Sequence, residues 1–174
     1  RGQVTPPSDD QGAALYEATQ EACDAAGFPA YEISNHARSE AARAQHNLVY
    51  WRSGDWLGVG PGAHGRMTHE GKRYALEAQR RPADYIDAVN QRGVGWVSEQ
   101  QLTNTERADE MLIMGLRIDE GLDLTRINAL RDKPIDPAAI AWLAEQGLIN
   151  ASDNRITLSP SGRVLANKIA AELA

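Results

Sequence analysis

The spacing of apolar residues changes near residue 97, and this change divides the chain into two parts of different architecture. After it, Thr103-Asn104-Thr105-Glu106 has the pattern of a capping box, which predicts the first turn of a helix. Further segments read as helices at 124–130, 137–146 and 161–173, with a hairpin at 148–158 before the last of them. Three helices, a two-stranded wing and a fourth helix predict a mainly helical, winged-helix-like domain over residues 97–174.

The first part of the chain, residues 1–96, alternates between helical and extended patterns. A helix is predicted from residue 9 or 10, as N-cap, to Gly27, and the alternation in Phe28–Ser34 predicts a strand directly after it. A second, buried strand is predicted over Trp56–Gly62. An irregular hairpin at 67–76 and a short helix at 82–92 follow. Helix-to-strand steps of this kind predict an α/β fold for the chain as a whole.

The charge distribution excludes a nucleic-acid partner. The net charge is -6, and basic and acidic residues are interspersed without a basic run. Between Asn104 and Ala174 there are eight Lys or Arg and eleven Asp or Glu residues, so the winged-helix-like part is itself acidic. Its 137–146 helix has no Lys or Arg that could contact phosphate groups. Small molecules and proteins are therefore the expected partners.

Cysteine content and hydropathy indicate the compartment. Cys23 is the single cysteine, so the chain can form neither an internal disulfide nor a thiolate cluster site. No apolar run approaches the roughly 18 residues of a membrane span. The sequence therefore predicts a soluble protein of the reducing cytoplasm. Because it opens at Arg1 without a leader, it is expected to be a piece of a longer polypeptide.

Three neighbouring segments contain the most unusual residues of the chain: YEISN at 31–35, HNLVYW at 46–51 and GDWLGVGPGAHG at 54–65. This series resembles the end of the partial barrel in the family of radical-SAM proteins that includes HemW-type haem chaperones and oxygen-independent coproporphyrinogen oxidases. The later LTNTERADEMLIMGLRIDEGLDL, at 102–124, resembles the start of that family's C-terminal domain. The resemblance implies that residues 1–96 are the last units of an incomplete TIM-like (β/α) barrel.

The resemblance also implies a function and its cofactors. The HemW branch suggests a chaperone that binds haem and transfers it to a recipient haem protein. One alternative is the oxidase of the family, which uses S-adenosylmethionine to convert coproporphyrinogen III to protoporphyrinogen IX. A second is a non-catalytic module that only packs over the substrate. In the family a [4Fe-4S] cluster and S-adenosylmethionine are bound near the N-terminus, so the resemblance implies an upstream radical-SAM barrel and no catalytic residues in this chain.

Within HNLVYW, four residues are the candidate haem or porphyrin ligands, and the resemblance associates this motif with haem binding. The His46 imidazole is a possible ligand of haem iron, and Tyr50 and Trp51 have flat apolar faces suited to a macrocycle. Asn47 can donate a hydrogen bond to a propionate. The alternative is structural: His46 and Asn47 would bond loop carbonyls, and the two aromatic residues would belong to the core.

The glycine-rich run at 58–65 contains a second candidate site. Gly60-Pro61-Gly62-Ala63-His64-Gly65 has the letters of a dinucleotide fingerprint, but Pro61 lacks a backbone donor and a turn is predicted at 66–71 where that motif needs a helix. Gly58, Gly60 and Gly62 would either let S-adenosylmethionine or porphyrin approach the backbone closely, or form a tight turn. His64 is a second polar contact or a turn residue, and the turn is favoured.

The remaining candidates have simple structural interpretations. His36 and His69 are expected to face solvent, and Cys23 to be a buried small residue. Arg80 and Arg81 could contact a porphyrin carboxylate, although a solvated loop is the simpler interpretation. An interrupted barrel would expose a sheet edge, so the chain is expected to self-associate.

Overall fold

The computed structural model describes residues 5–152 and 154–174, which form an α/β fold with two small sheets. Residues 1–4 of the first predicted domain and Asp153 of the predicted wing lie outside the described residues. The helices are α1 (Asp9–Ala25), α2 (Gln45–Trp51), α3 (Pro82–Arg92), α4 (Asn104–Gly115), α5 (Leu124–Asn128), α6 (Pro137–Glu145), α7 (Pro160–Val164) and α8 (Ala166–Leu173), with a 3-10 turn at Glu40–Ala42. The strands are β1 (His64–His69), β2 (Lys72–Ala78), β3 (Trp96–Gln101), β4 (Leu122–Asp123), β5 (Ile149–Ser152) and β6 (Arg155–Leu158).

The first sheet is an antiparallel meander in the order β1-β2-β3. The predicted hairpin is confirmed: Glu70 and Gly71 connect β1 to β2 with φ angles of 49° and 76°, the left-handed conformation of a two-residue hairpin turn. The third strand was not predicted. Because β3 covers Trp96–Gln101, the predicted domain boundary between residues 96 and 97 falls inside this strand.

Two predicted strands are wrong. Phe28–Ser34 forms only isolated bridges, of Ala30 with His36 and of Glu32 with Ile118, because the chain turns back where the Tyr31 amide donates to the Asn35 carbonyl. Trp56–Gly62 forms a single bridge, of Trp56 with Arg66, and the side chains of Leu57 and Val59 are 60% and 87% exposed rather than buried. These segments do not form the strands of the predicted α/β units.

Helix α1 begins at Asp9, so its N-cap lies one or two residues before the predicted one, and the helix is almost uncovered. Ser8 is the N-cap, and it forms a capping box with Gln11, in which each side chain bonds the other residue's backbone. No residue of α1 is buried, and Leu15 is 61% exposed. The buried residues of this half are few, and the small cluster at its centre consists of Tyr31, Ala37, Leu48 and Ile118.

The first three helices predicted after residue 102 are confirmed, and the half of the chain that they begin encloses the main core. The capping box of Thr103 and Glu106 opens α4, as predicted. The predicted hairpin forms, but β4 adds a third strand in the order β4-β6-β5. The predicted last helix is broken at Leu165 into α7 and α8. The core contains Ala108, Leu112, Leu116, Leu122, Ile127, Ile135, Leu143, Ile149, Ile156, Leu158, Ala166, Ile169, Ala170 and Leu173.

Within the described residues, none of the helices has both the length and the apolar content that crossing a membrane would require.

Candidate functional site

Helix α2 places two of the four predicted ligand residues on one face. His46 and Tyr50 are four residues apart, and their rings meet edge to face with centroids 6.0 Å apart. The Tyr50 ring then meets Trp56 at 4.9 Å with an interplanar angle of 71°. The His46 side chain is exposed, whereas Tyr50 and Trp56 are half-buried. His46, Tyr50 and Trp56 are called the aromatic row below.

Trp51 lies on a different side of the same helix. It packs against the small cluster around Leu48, and the Arg117 guanidinium lies 5.6 Å from its ring centroid. Its Nε1 is buried without a hydrogen-bond partner in the described part of the chain. Successive helical residues point about 100° apart, so Tyr50 and Trp51 cannot present their rings to one flat ligand. Trp51 therefore lies on a different side of α2 from the ring of Tyr50, and Asn47, four residues before Trp51, is half-buried.

Tyr50 and Trp56 of the aromatic row border a cleft that extends to the first sheet and to α4. This aromatic cleft has a volume of about 120 Å³. Its lining residues are Tyr50, Ser53, Trp56, His64, Arg66, Arg73, Glu110 and Met114. His64 is the first residue of β1 rather than a turn residue, and its carbonyl accepts a 3.2 Å hydrogen bond from Trp56 Nε1. The structure therefore brings His64 together with Tyr50.

Two arginines of the aromatic cleft are fixed by carboxylates. The Arg66 guanidinium donates from Nε at 3.0 Å and from Nη2 at 2.6 Å to Glu110. Arg73 donates at 2.9 Å to Asp55 and at 2.8 Å to the Gly54 carbonyl. Both guanidiniums lie within 6.0 Å of the Trp56 ring centroid. Burial lowers the pKa of Arg73, and the charge of Asp55 opposes that change.

The glycine run makes close backbone contacts with the chain itself. A β-carbon at position 58 would lie 2.2 Å from the His64 carbonyl oxygen, so Gly58 allows this segment to pass beside β1. Gly60 has a φ of 108° and its amide donates to the Tyr85 hydroxyl at 3.2 Å. The Gly62 amide donates to the Gln79 carbonyl at 2.7 Å. A strand follows the run where a dinucleotide site needs a helix, so the rejection of the fingerprint is confirmed, although residues 66–69 are strand and not turn.

The secondary candidates divide between correct and wrong predictions. His69 is exposed at the end of β1, as predicted. His36 is half-buried, with its Nε2 at 3.2 Å from Gln20 Oε1, so its predicted exposure is wrong. Cys23 is only partly buried. Arg80 bonds Glu77 on the surface. Among residues 5–152 and 154–174, no group of three or more His, Cys, Asp or Glu side chains is placed to hold a metal ion.

Ion pairs connect α2 and its approach to the loop after α4. Arg43 donates to Asp119 at 3.0 and 2.6 Å, and Arg52 donates to both carboxylate oxygens of Glu120. The hydrogen bond from Arg52 lowers the pKa of Glu120 and raises that of Arg52 itself. The position of the aromatic row therefore depends on residues of both halves of the chain.

Two larger cavities lie elsewhere. One of about 480 Å³ separates α1 from the start of α7, where burial raises the pKa of Tyr16, and another of about 650 Å³ lies against the start of α1. Pockets that enclose drug-sized ligands measure about 300–1,000 Å³. The aromatic cleft is smaller than this range, so it can receive an edge of a macrocycle but cannot enclose one.

Sequence reasoning missed Trp56, Arg66, Arg73 and Glu110 as members of the cleft. Trp56 was visible in the motif at 54–65, but it was assigned to a buried strand. The other three come from β1, β2 and α4, and no local pattern links them. Only the pairing of β1 with β2 and the contact of Arg66 with Glu110 bring them together.

Comparisons with known proteins agree with this fold. A family model described as the HemN C-terminal domain matches residues 102–165. The mitochondrial radical S-adenosyl methionine domain-containing protein 1 of Dictyostelium discoideum is 32% identical over 95% of this chain and 42% of its own length. The heme chaperone HemW of Bacillus subtilis is 30% identical over 97% of this chain and 44% of its own length. The chain thus spans less than half of these relatives.

A solved structure of coproporphyrinogen III oxidase (HemN) from Escherichia coli, described as a radical SAM enzyme, has the same fold. It superposes with a TM-score of 0.69 at 23% sequence identity, and the match covers 96% of this chain and 42% of that one.

Proposed function

Because the chain belongs to the family of HemW-type and HemN-type proteins, whose C-terminal part it spans, we propose that it contributes the haem-binding surface of a haem chaperone. The parent protein would bind haem and transfer it to a recipient haem protein. The observation that carries this proposal is the aromatic row, in which the exposed His46 imidazole and the Tyr50 ring lie on one face of α2 and the Trp56 ring continues the row beside the aromatic cleft.

Each residue of the row would have a separate role toward haem. His46 is exposed at the start of α2, so its imidazole is free to approach an iron atom from the protein side. Tyr50 and Trp56 are half-buried and would contact the edge of the macrocycle. Trp51 would act indirectly, because its packing against Leu48 fixes the orientation of α2. Asn47, His64 and the backbone at Gly58, Gly60 and Gly62 would complete the surrounding surface.

The remainder of the family's cofactor set does not fit this chain. A [4Fe-4S] cluster in the family needs three cysteine thiolates, and Cys23 is the single cysteine. We therefore propose that the cluster and S-adenosylmethionine belong to an upstream barrel, of which residues 1–96 would be the last part, with a winged-helix-like domain after it. The uncovered face of α1, with Leu15 exposed, supports such an upstream neighbour. Localisation in the cytoplasm remains part of the proposal.

Without that neighbour, we propose that the chain self-associates through the uncovered face of α1. Light scattering should then report oligomers that dissociate when Leu15 is replaced by Lys. A monomer at high protein concentration would contradict this part of the proposal.

An oxidase is the second candidate function, since the fold is also that of coproporphyrinogen III oxidase. In that case the aromatic row would contact coproporphyrinogen III and the parent would consume S-adenosylmethionine. The third alternative, a module that only packs over the substrate, predicts no effect of substitutions in the row on ligand binding.

A haem titration tests the main proposal. The chain is titrated with haem while the Soret band is followed, for the wild type, His46→Ala and His69→Ala. We expect the wild type to bind in a one-to-one ratio, with His46→Ala roughly tenfold weaker or more, because a metal ligand is lost. His69 is an equally exposed histidine away from the row, so His69→Ala should bind like the wild type. A wild type that binds no haem would overturn the proposal and favour the oxidase.

A further inference from the structure

A second, smaller cleft opens beside the aromatic cleft and is dominated by arginine. Its volume is about 60 Å³, room for about two water molecules, which is also the size of a carboxylate group. Its lining residues are Ser53, Arg73, Arg107, Glu110, Met111 and Arg126. It shares Ser53, Arg73 and Glu110 with the aromatic cleft, so the two clefts are neighbours. It is called the arginine cleft below.

The positive charge of the arginine cleft exceeds its negative charge. Arg66 neutralises Glu110 and Asp55 neutralises Arg73, as their hydrogen bonds show. Arg107 and Arg126 are in none of the ion pairs of the described part of the chain. Within residues 5–152 and 154–174, these two guanidiniums therefore form no ion pair with a carboxylate, in a chain whose net charge is -6.

The same cleft contains an unsatisfied donor. Arg107 Nε is buried and has no hydrogen-bond partner in the described residues. A buried N–H without an acceptor is costly, and most such groups in proteins are satisfied. Arg73 is only 8% exposed, and this burial is the main cause of its lowered pKa. The charges of Asp55 and Glu110 oppose the change, and those of Arg66 and Arg107 add to it. An anion in this cleft would accept a hydrogen bond from Arg107 Nε and would offset the positive charge around Arg73.

We propose that the arginine cleft binds a carboxylate group of the ligand, with Arg107 and Arg126 as its donors. This inference rests on the proposed function and identifies the part of the ligand that is recognised: a propionate side chain of the tetrapyrrole. The ring edge then lies in the aromatic cleft against Tyr50 and Trp56. A planar guanidinium fork matches a carboxylate, and the small volume excludes the macrocycle itself.

Esterified haem tests this assignment directly. Haem and haem dimethyl ester, whose propionates carry no charge, are each titrated into the full chain while the Soret band is followed. For the wild type we expect the ester to bind roughly tenfold more weakly than haem. In the double variant Arg107→Gln and Arg126→Gln, the affinity for haem should fall to the affinity for the ester. The ester should bind to this variant as tightly as it binds to the wild type.

A matched control is available on the surface. Arg80→Gln with Arg81→Gln removes the same charge from two side chains that are 80% exposed, and haem should still bind more tightly than its ester. The single variant Arg126→Gln provides a second test that leaves the partly buried Arg107 in place. If the preference for haem over its ester survives in the cleft variants, or is lost in the surface control, the assignment is overturned.

The two proposals fail differently. Equal binding of haem and its ester by the wild type overturns the carboxylate subsite and leaves haem binding intact. Binding of neither overturns the proposed function, and the subsite is then decided with 4-fluorobenzoate, a small carboxylate followed by fluorine NMR. Line broadening that the wild type produces and the double variant does not supports the subsite. Equal broadening by both overturns it.

Discussion

The two halves of the chain are held together differently. The half after residue 102 encloses the main core, in which Leu112, Ile127 and Ile156 are almost completely buried. The half before it has one small buried cluster, and Ile118 of the other half supplies one of its four members. The aromatic row and most of its cleft belong to this less consolidated half. Stability is thus concentrated in one half and ligand-facing surface in the other.

The largest predicted effect tests where the stability resides. Leu112 and Ile113 are neighbours on α4, but they are 1% and 44% exposed. Leu112→Ala should lower the free energy of unfolding by about 2–5 kcal/mol because it leaves a cavity in the core. Ile113→Ala should change it by about 0.5 kcal/mol or less. Urea titrations followed by circular dichroism measure both, and equal losses would contradict the described core.

A smaller loss of stability is expected from a substitution in the glycine run, which lies in the half before residue 102. Gly58→Ala would place a β-carbon 2.2 Å from the His64 carbonyl, so the run must move away from β1. We expect a loss of about 1–3 kcal/mol, together with faster amide hydrogen exchange at the start of β1. Gly12 in α1 has open space around it, and Gly12→Ala should stabilise the chain by about 0.5–1 kcal/mol. Unchanged exchange in Gly58→Ala would show that the run is not held against β1.

The smallest effect concerns the ion pair between the halves. The Arg52 hydrogen bond lowers the pKa of Glu120, so the folded state holds the proton less tightly than the unfolded state does. The resulting stability is present above the ordinary glutamate pKa of 4.5 and is lost as pH falls through the lowered value. Both side chains are about a third exposed or more, so its size should be below about 1 kcal/mol.

Glu120→Gln isolates this contribution. Thermal unfolding should show the variant less stable than the wild type at pH 7, and the difference should shrink as the pH is lowered below 4.5. It should also shrink in high salt, because exposed charges are screened. A difference that stays constant with pH would mean that the pair does not couple the halves.

Short sequence motifs predicted the helices and the turn whose backbone is determined by neighbouring residues. The capping box at Thr103, the proline at the start of α3 and the Glu70-Gly71 turn each fix their own backbone, and all three predictions are confirmed. The break at Leu165 has no such signal, because apolar residues continue at helical spacing on both sides of it. β3 was missed because its WVSEQQ sequence is largely polar and exposed at the sheet edge.

The candidate site was predicted only in part. His46 and Tyr50 of the predicted ligand residues lie together in the structure. The helix that separates Tyr50 from Trp51 was not predicted, since His46–Trp51 is rich in residues that also favour strands. The arginines of the two clefts come from β1, β2, α4 and α5, which lie far apart in the sequence. Long-range packing brings these arginines together, and the residue pattern of a single sequence does not predict such packing.

Strand β3 runs into α4 through Leu102 and Thr103 alone, and the Leu102 amide donates to the Arg73 carbonyl at 2.8 Å. This short junction determines how the chain could be recombined with a relative. A chimera joined at residue 97 would take most of β3 from a foreign parent and disturb the sheet that holds Arg66 and Arg73. A chimera joined at residue 102, where the HemN C-terminal domain match begins, would keep all three strands and transfer the whole capping box with its helix.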